Sequence, residues 1–301
     1  MSNVVDQVLA QQAKRASQNQ FESTDLTKYF TIALPQGVSR GEKTFRMLPP
    51  KPDQMVFTEI WFHTIKVGGT HRKLYDPGKN EGKSSPLSDV YNLLKASNDP
   101  SDKALARNFR PRLFYIIKGV EREKENEGVK FWRFPHDDKG GGIFDLISPI
   151  FKKFGDITDA TTGRDLSITL TKVRNKQNNG EYTAPSAILP NDPTPLSTNA
   201  QLAKQWTDDA MTWENVYKKY DTEYLFIIAE GHTPAWSESE NKWIAKVEAD
   251  DTEGSGTQDN IGRAVGTTPS APIAPASQTD HPAVQSDPAE TDEIDSNDLP
   301  F

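Results

Sequence analysis

Cationic and aromatic side chains are interleaved in Phe45-Arg46, Trp61-Phe62, Arg110-Pro111-Arg112-Leu113-Phe114-Tyr115, Lys130-Phe131-Trp132-Arg133-Phe134 and Lys172-Val173-Arg174-Asn175-Lys176. Ammonium and guanidinium groups bind phosphate oxygens, and flat rings stack on unpaired bases, so this mixture suits a single-stranded polynucleotide. Stacking contributes about 1–3 kcal/mol per base whatever the base, and phosphate contacts add affinity that falls with salt. The candidate phosphate contacts are Arg46, Lys66, Arg107, Arg110, Arg112, Lys118, Lys130, Arg133, Lys172, Arg174 and Lys176. Trp61, Tyr75, Tyr91, Tyr115, Trp132 and Tyr182 are the candidate stacking platforms. Singly, a strand aromatic usually fills a core and a strand Lys or Arg usually edges into solvent. The set is more telling than any member.

Other chemistries have weaker support. Gly78-Lys79-Asn80-Glu81-Gly82-Lys83-Ser84 resembles a phosphate loop, but is one residue short between its glycines and sits in a polar loop. Glu81 and Lys83 with Asp53 or Asp76 upstream could form an acidic nuclease triad, a pattern common by chance. His63, His71, His136, His232 and His281 lack paired metal spacing, and the chain has no cysteine. No nucleophile is paired with a base. Neither a catalytic residue nor a cofactor nor a metal is expected.

Strands must position these side chains. Lys43–Leu48, Val56–Lys66, Arg112–Val120, Val129–Phe134 and Leu166–Arg174 read as strands between turn signals. Glu125-Asn126-Glu127-Gly128 makes the third and fourth a hairpin, with glycine where positive φ is cheap. Alternation puts Lys130, Trp132 and Phe134 on one face, and Phe131 and Arg133 on the other. It also aims Lys172, Arg174 and Lys176 the same way. Ser88–Ala96 and Gly142–Phe154 read as helices, with Pro149 expected to kink the second. Another helix is expected within 203–228, and the apolar run Tyr224–Ile228 fits helix or strand alike. The expected class is α+β, mainly β: an OB-like open five-stranded barrel with inserted helices. A β-sandwich remains an alternative.

Charge divides the chain unevenly. Of 43 acidic and 35 basic residues, twelve acidic and one basic fall from Glu248 onward, giving a mildly basic body and an anionic tail. The tail's Gly, Ser, Thr, Pro and Ala content predicts disorder. The expected units are a segment 1–20, a core 21–247 and a tail 248–301. No apolar run approaches the roughly 20 residues that span a bilayer, and no secretory signal is evident, so a cytosolic protein without membrane contact is expected.

The chain resembles the helix-destabilising single-stranded DNA-binding protein of T-even-like bacteriophages over about residues 10–190. Phe45-Arg46-Met47-Leu48-Pro49-Pro50-Lys51 is similar to a family stretch whose arginine, here Arg46, contacts DNA. Glu125–Phe134 resembles its Asn-Glu-Gly turn and aromatic-basic strand, Arg107–Lys118 its basic-aromatic strand, and Pro185–Ile188 its Gln-Ser-Ala-Ile. Lys14, Arg15 and Ser17 resemble a motif by which protomers associate along DNA. The family's zinc site has His63 at its histidine position, but Ser85-Pro86-Leu87-Ser88 replaces a cysteine pair and Asp76 lies near the remaining cysteine position. Hydroxyls are poor zinc ligands, so a zinc-free variant is expected. Asp292, Glu293, Asp295, Asp298, Leu299, Pro300 and Phe301 look like the acidic tip by which bacterial single-stranded DNA-binding proteins recruit partners. The resemblances imply cooperative, sequence-independent binding of single-stranded DNA in phage replication, recombination and repair, without enzymatic activity. Partners would be replication and recombination proteins, met in the cytoplasm of an infected bacterial host. A non-enzymatic adaptor or virion structural protein is the alternative.

Overall fold

The computed structural model of the chain describes residues 26–174, 180–217 and 219–246. Lys14, Arg15, Ser17, Lys176 and the tail residues from Asp292 to Phe301 lie outside them. So do the expected segment 1–20 and tail 248–301.

One antiparallel sheet is built from β1 (Arg40–Met47), β2 (Thr58–Val67), β3 (Thr70–Tyr75), β4 (Pro111–Glu121), β5 (Val129–Pro135), β6 (Arg164–Arg174) and β7 (Glu181–Pro193). The class is α+β with mainly antiparallel strands, as expected. The sheet has seven strands where five were expected, and it is open. Its order is β3-β2-β4-β1-β6-β7, with β5 also paired to β4.

The two extra strands have physical reasons. Gly68-Gly69, with φ of 55° and 83°, forms a two-residue turn that places Thr70 opposite Val67, so polar β3 follows β2 as a hairpin. Strand β7 contains Pro185, Pro190 and Pro193, which argue against a strand interior. They are tolerated because β7 is an edge.

Strand β4 has three partners. Residues from Pro111 to Ile116 pair with β2, Gly119 to Glu121 with β1, and Phe114 to Val120 with β5. Where β1 meets β4 the backbones are close enough that a Cβ on Gly119 would collide with the Phe45 ring. Beside β5 runs the segment before β1, with Phe30 N donating to Phe131 O at 2.9 Å.

Helices α1 (Pro77–Glu81), α2 (Pro86–Ala96) and α3 (Pro100–Phe109) lie between β3 and β4. Each starts with proline after a capping Asp76, Ser85 or Asp99. Proline loses no helical hydrogen bond there and the cap satisfies a free N–H. Helix α4 (Ile143–Phe154) continues through Pro149 and packs Ile143, Ile147 and Ile150 into the main core. The single helix expected within 203–228 is instead α5 (Ala200–Asp208), α6 (Trp213–Val216) and α7 (Thr222–Ala229). Interruption follows from caps inside the span: Thr212 N donates to Asn215 Oδ1 at 2.7 Å and Tyr224 N to Asp221 Oδ1 at 2.9 Å. A hairpin of β8 (Pro234–Ser237) and β9 (Lys242–Ala245) packs Trp243 against Tyr224.

Both faces of β5 are covered. Trp132 and Phe134 enter the main core with Phe30, Phe45, Tyr115 and the α4 isoleucines. Phe131 enters a second core with Phe62, Phe114, Val216 and Tyr217. The expected alternation holds, but neither face is left for solvent.

Candidate nucleic-acid interface

Burial removes six of the expected contacts from the exposed surface. Arg46 is wholly buried, with Nη2 donating to Asp159 O at 2.8 Å and Thr194 O at 3.0 Å, and Nη1 lying 3.3 Å from Asp165 Oδ1. Burial holds its pKa below the usual arginine value, although Asp165 opposes this. It ties β1 to the segment before β6, to β6 itself and to the residue after β7. Lys130 is buried between Glu121 and Glu127, each 2.6 Å from its Nζ. Burial opposes its charge, but these two carboxylates raise its pKa above the usual lysine value.

Trp132 packs edge-on against Phe30, Phe45 and Phe134. Arg133 is buried over the rings of Tyr29 and Phe62, at 5.1 and 5.6 Å, and burial lowers its pKa. Tyr115 is buried and stacks on Phe144 with ring centres 4.5 Å apart. Tyr75 is buried beneath Lys219, which sits 4.3 Å from the ring centre. Burial, with the hydrogen bond to Glu81, pushes the Tyr75 phenol up to about 12.

Four others converge. Trp61, Arg110, Arg112 and Tyr182 line one cavity of about 230 Å³ at the start of β4, to which the buried Trp132 and Arg133 also contribute, with Ile32, Leu113, Phe134 and Ile143 as apolar wall. Their elements explain the convergence. Trp61 pairs with Leu113 across β2 and β4. Asn80 of α1 fixes the Trp61 backbone on both sides, accepting from its N at 2.9 Å and donating to its O at 2.8 Å. Arg110 caps the end of α3, and Arg112 follows at the start of β4. Tyr182 comes from the opposite wall on β7, where it pairs with Val173.

The remaining cations divide by position. Arg107 is exposed one turn before Arg110 on α3. On β6, Lys172 and Arg174 continue the inward-facing row of Leu166, Ile168 and Leu170 beyond the core. Lys172 lies opposite Thr183, another cavity-lining residue. Lys66 is exposed on β2 near the Gly68-Gly69 turn, and Tyr91 is half-buried on α2 beneath Lys95. Neither lines the cavity. Lys118 lines a different cleft of about 590 Å³, where its Nζ is held by Asp209 Oδ1 at 2.9 Å, Asp209 O at 2.7 Å and Met211 O at 2.8 Å.

Three groups at or beside the cavity lie outside the expected set. Lys79 of α1 sits 5.4 Å above the Trp61 ring, adding a cation to that platform. His136 and Asp138 line the cavity from the loop after β5. The one sequence signal for Lys79 is its place in the glycine-rich loop that resembles a phosphate loop.

The position resembling a zinc site is filled by hydrogen bonds. His63 is buried, its Nδ1 2.7 Å from Phe109 O and its Nε2 3.5 Å from both Asp76 Oδ2 and Ser88 Oγ. Ser88 Oγ donates to Asp76 Oδ2 at 2.9 Å. Burial favours the neutral Asp76 carboxyl, but bonds from His63, Ser85 and Ser88 outweigh it and hold its pKa far below 3.8. Hydroxyls in place of thiolates do not fit zinc. This network joins β2, β3, α2 and α3.

No helix among the described residues is long and apolar enough to cross a membrane. No protein-family model matches the chain, and no curated protein matches it.

Proposed function

We propose that this chain binds single-stranded DNA without sequence preference and coats it cooperatively. One observation carries the reading: Trp61, Arg110, Arg112 and Tyr182, drawn from three separate stretches of sequence, line one partly apolar cavity. Rings and apolar wall accept a base, while cations at the rim accept its phosphates. Lys79, Arg107, Lys172 and Arg174 extend the cationic track. The five expected strands, β1, β2, β4, β5 and β6, are contiguous in the sheet, which supports reading it as an OB-related open barrel enlarged by β3 and β7.

The protein acts without catalysis in this reading. It destabilises duplex because a ligand selective for single strands pulls melting by mass action. Lys14, Arg15 and Ser17 would join neighbouring protomers. The acidic tail would compete with DNA for the groove and, once displaced, offer Leu299-Pro300-Phe301 to phage replication and recombination proteins in the infected host.

Oligo(dT) titration followed by tryptophan fluorescence, at two salt concentrations, tests the reading. Quenching and an affinity that falls with salt are expected. A folded protein that gives neither would instead be an adaptor or virion component whose basic-aromatic strands are core and rim.

A further inference from the structure

The cavity carries a carboxylate where phosphate recognition alone would exclude one. Asp138 Oδ2 lies 3.1 Å from Arg110 Nη2, and its Oδ1 lies 3.5 Å from His136 Nε2. All three residues line the cavity, and the Asp138 side chain is 58% exposed. Its loop is a built structure. Asp137 Oδ1 accepts from Lys139 N at 3.0 Å, and Asp145 Oδ2 accepts from Gly141 N and Gly142 N, both at 3.1 Å. Gly140 and Gly141 have φ of 74° and 128°, values that few other residues adopt. The loop therefore presents Asp138 to Arg110 in a defined place.

We infer that Asp138 is a specificity-determining residue that makes the cavity select base-bearing polyanions over bare ones. This rests on the single-strand reading of the same site. A phosphate reaching Arg110 Nη2 must displace the Asp138 carboxylate from it, so one anion replaces another with little electrostatic gain. A polyanion without bases then leaves Asp138 beside a phosphate, parted from Arg110 and repelled. A base entering the cavity changes that balance. Every DNA base carries an N–H donor on its Watson–Crick edge, and the displaced carboxylate can accept it. Because each base supplies such a donor, selection for bases needs no preference among them.

The probes are oligo(dT) and an abasic deoxyribose-phosphate oligomer of equal length, titrated against wild type, Asp138→Asn, Asp138→Glu and Asp208→Asn. Asp208 pairs with Lys204 on exposed α5 and controls for net charge. Asp138→Asn should tighten abasic binding by about two- to fivefold, the scale of an exposed ion pair, and leave oligo(dT) unchanged or weaker. Asp138→Glu should keep the wild-type ratio of the two affinities. Equal gains for both probes, or matching behaviour of Asp138→Asn and Asp208→Asn, would overturn the inference while the site stands. Wild type that ignores oligo(dT) would instead remove the single-strand reading, before any variant is compared.

Discussion

Arg46 and Arg112 look alike in sequence, each a cation beside apolar residues on paired strands, yet the fold gives them opposite settings. Arg46 is enclosed, and its guanidinium satisfies two backbone carbonyls and Asp165. Replacing it with alanine strands those acceptors and opens a void, so a loss on the order of 3–5 kcal/mol is expected in denaturant unfolding. Arg112 stands at the cavity wall. Arg112→Ala should cost less stability than Arg46→Ala and reduce the log–log salt slope of oligo(dT) binding by about 0.7, one phosphate on a single strand. An Arg46→Ala protein of normal stability that lost DNA affinity would restore Arg46 as a contact. Residue types were legible in the sequence, and so was alternation along β5. Which face meets solvent was not, because α6 and the residues around Tyr217 cover the second side of β5 from far along the chain.

Among elements, those with local signals were the readable ones. The five alternating strands and the apolar-periodic helices α2 and α4 could be placed, whereas β7 was masked by its prolines. The glycine pair that turns β2 into β3 was visible but unused. Helices α1 and α3 offered proline after aspartate, a start signal, with little apolar periodicity to support it. The network of His63, Asp76, Ser85 and Ser88 adds a testable dependence on pH. Asp76 has a folded pKa below its ordinary 3.8, so its contribution is present above that value and lost as pH falls through the folded pKa. The stability gap between wild type and Asp76→Asn should be full near neutrality and narrow below about pH 4, measured by urea unfolding across pH. A gap independent of pH would mean that the carboxylate's charge is irrelevant there.

For the whole molecule, charge separation is the main lever. The tail holds twelve acidic residues and one basic one, against 34 basic and 31 acidic in the rest. In the proposed reading the two parts attract at low ionic strength and uncouple as salt screens them. A variant ending at Val247 should bind oligo(dT) more tightly than the full chain at low salt, with the difference shrinking as salt rises. Equal affinities throughout that titration would exclude self-competition by the tail. Overall charge asymmetry was plain in the sequence, but the cavity was not, since it draws on β2, β4, β5, α4 and β7. A stiffer property follows from how β4 is held at its start, where it pairs with β2 from Pro111 and Leu113 O accepts from His136 N at 2.8 Å. Because Arg110 and Arg112 flank its first residue, in the proposed reading an incoming polymer would meet a mould already set, and conformational adjustment would fall to the flexible strand rather than to the surface receiving it.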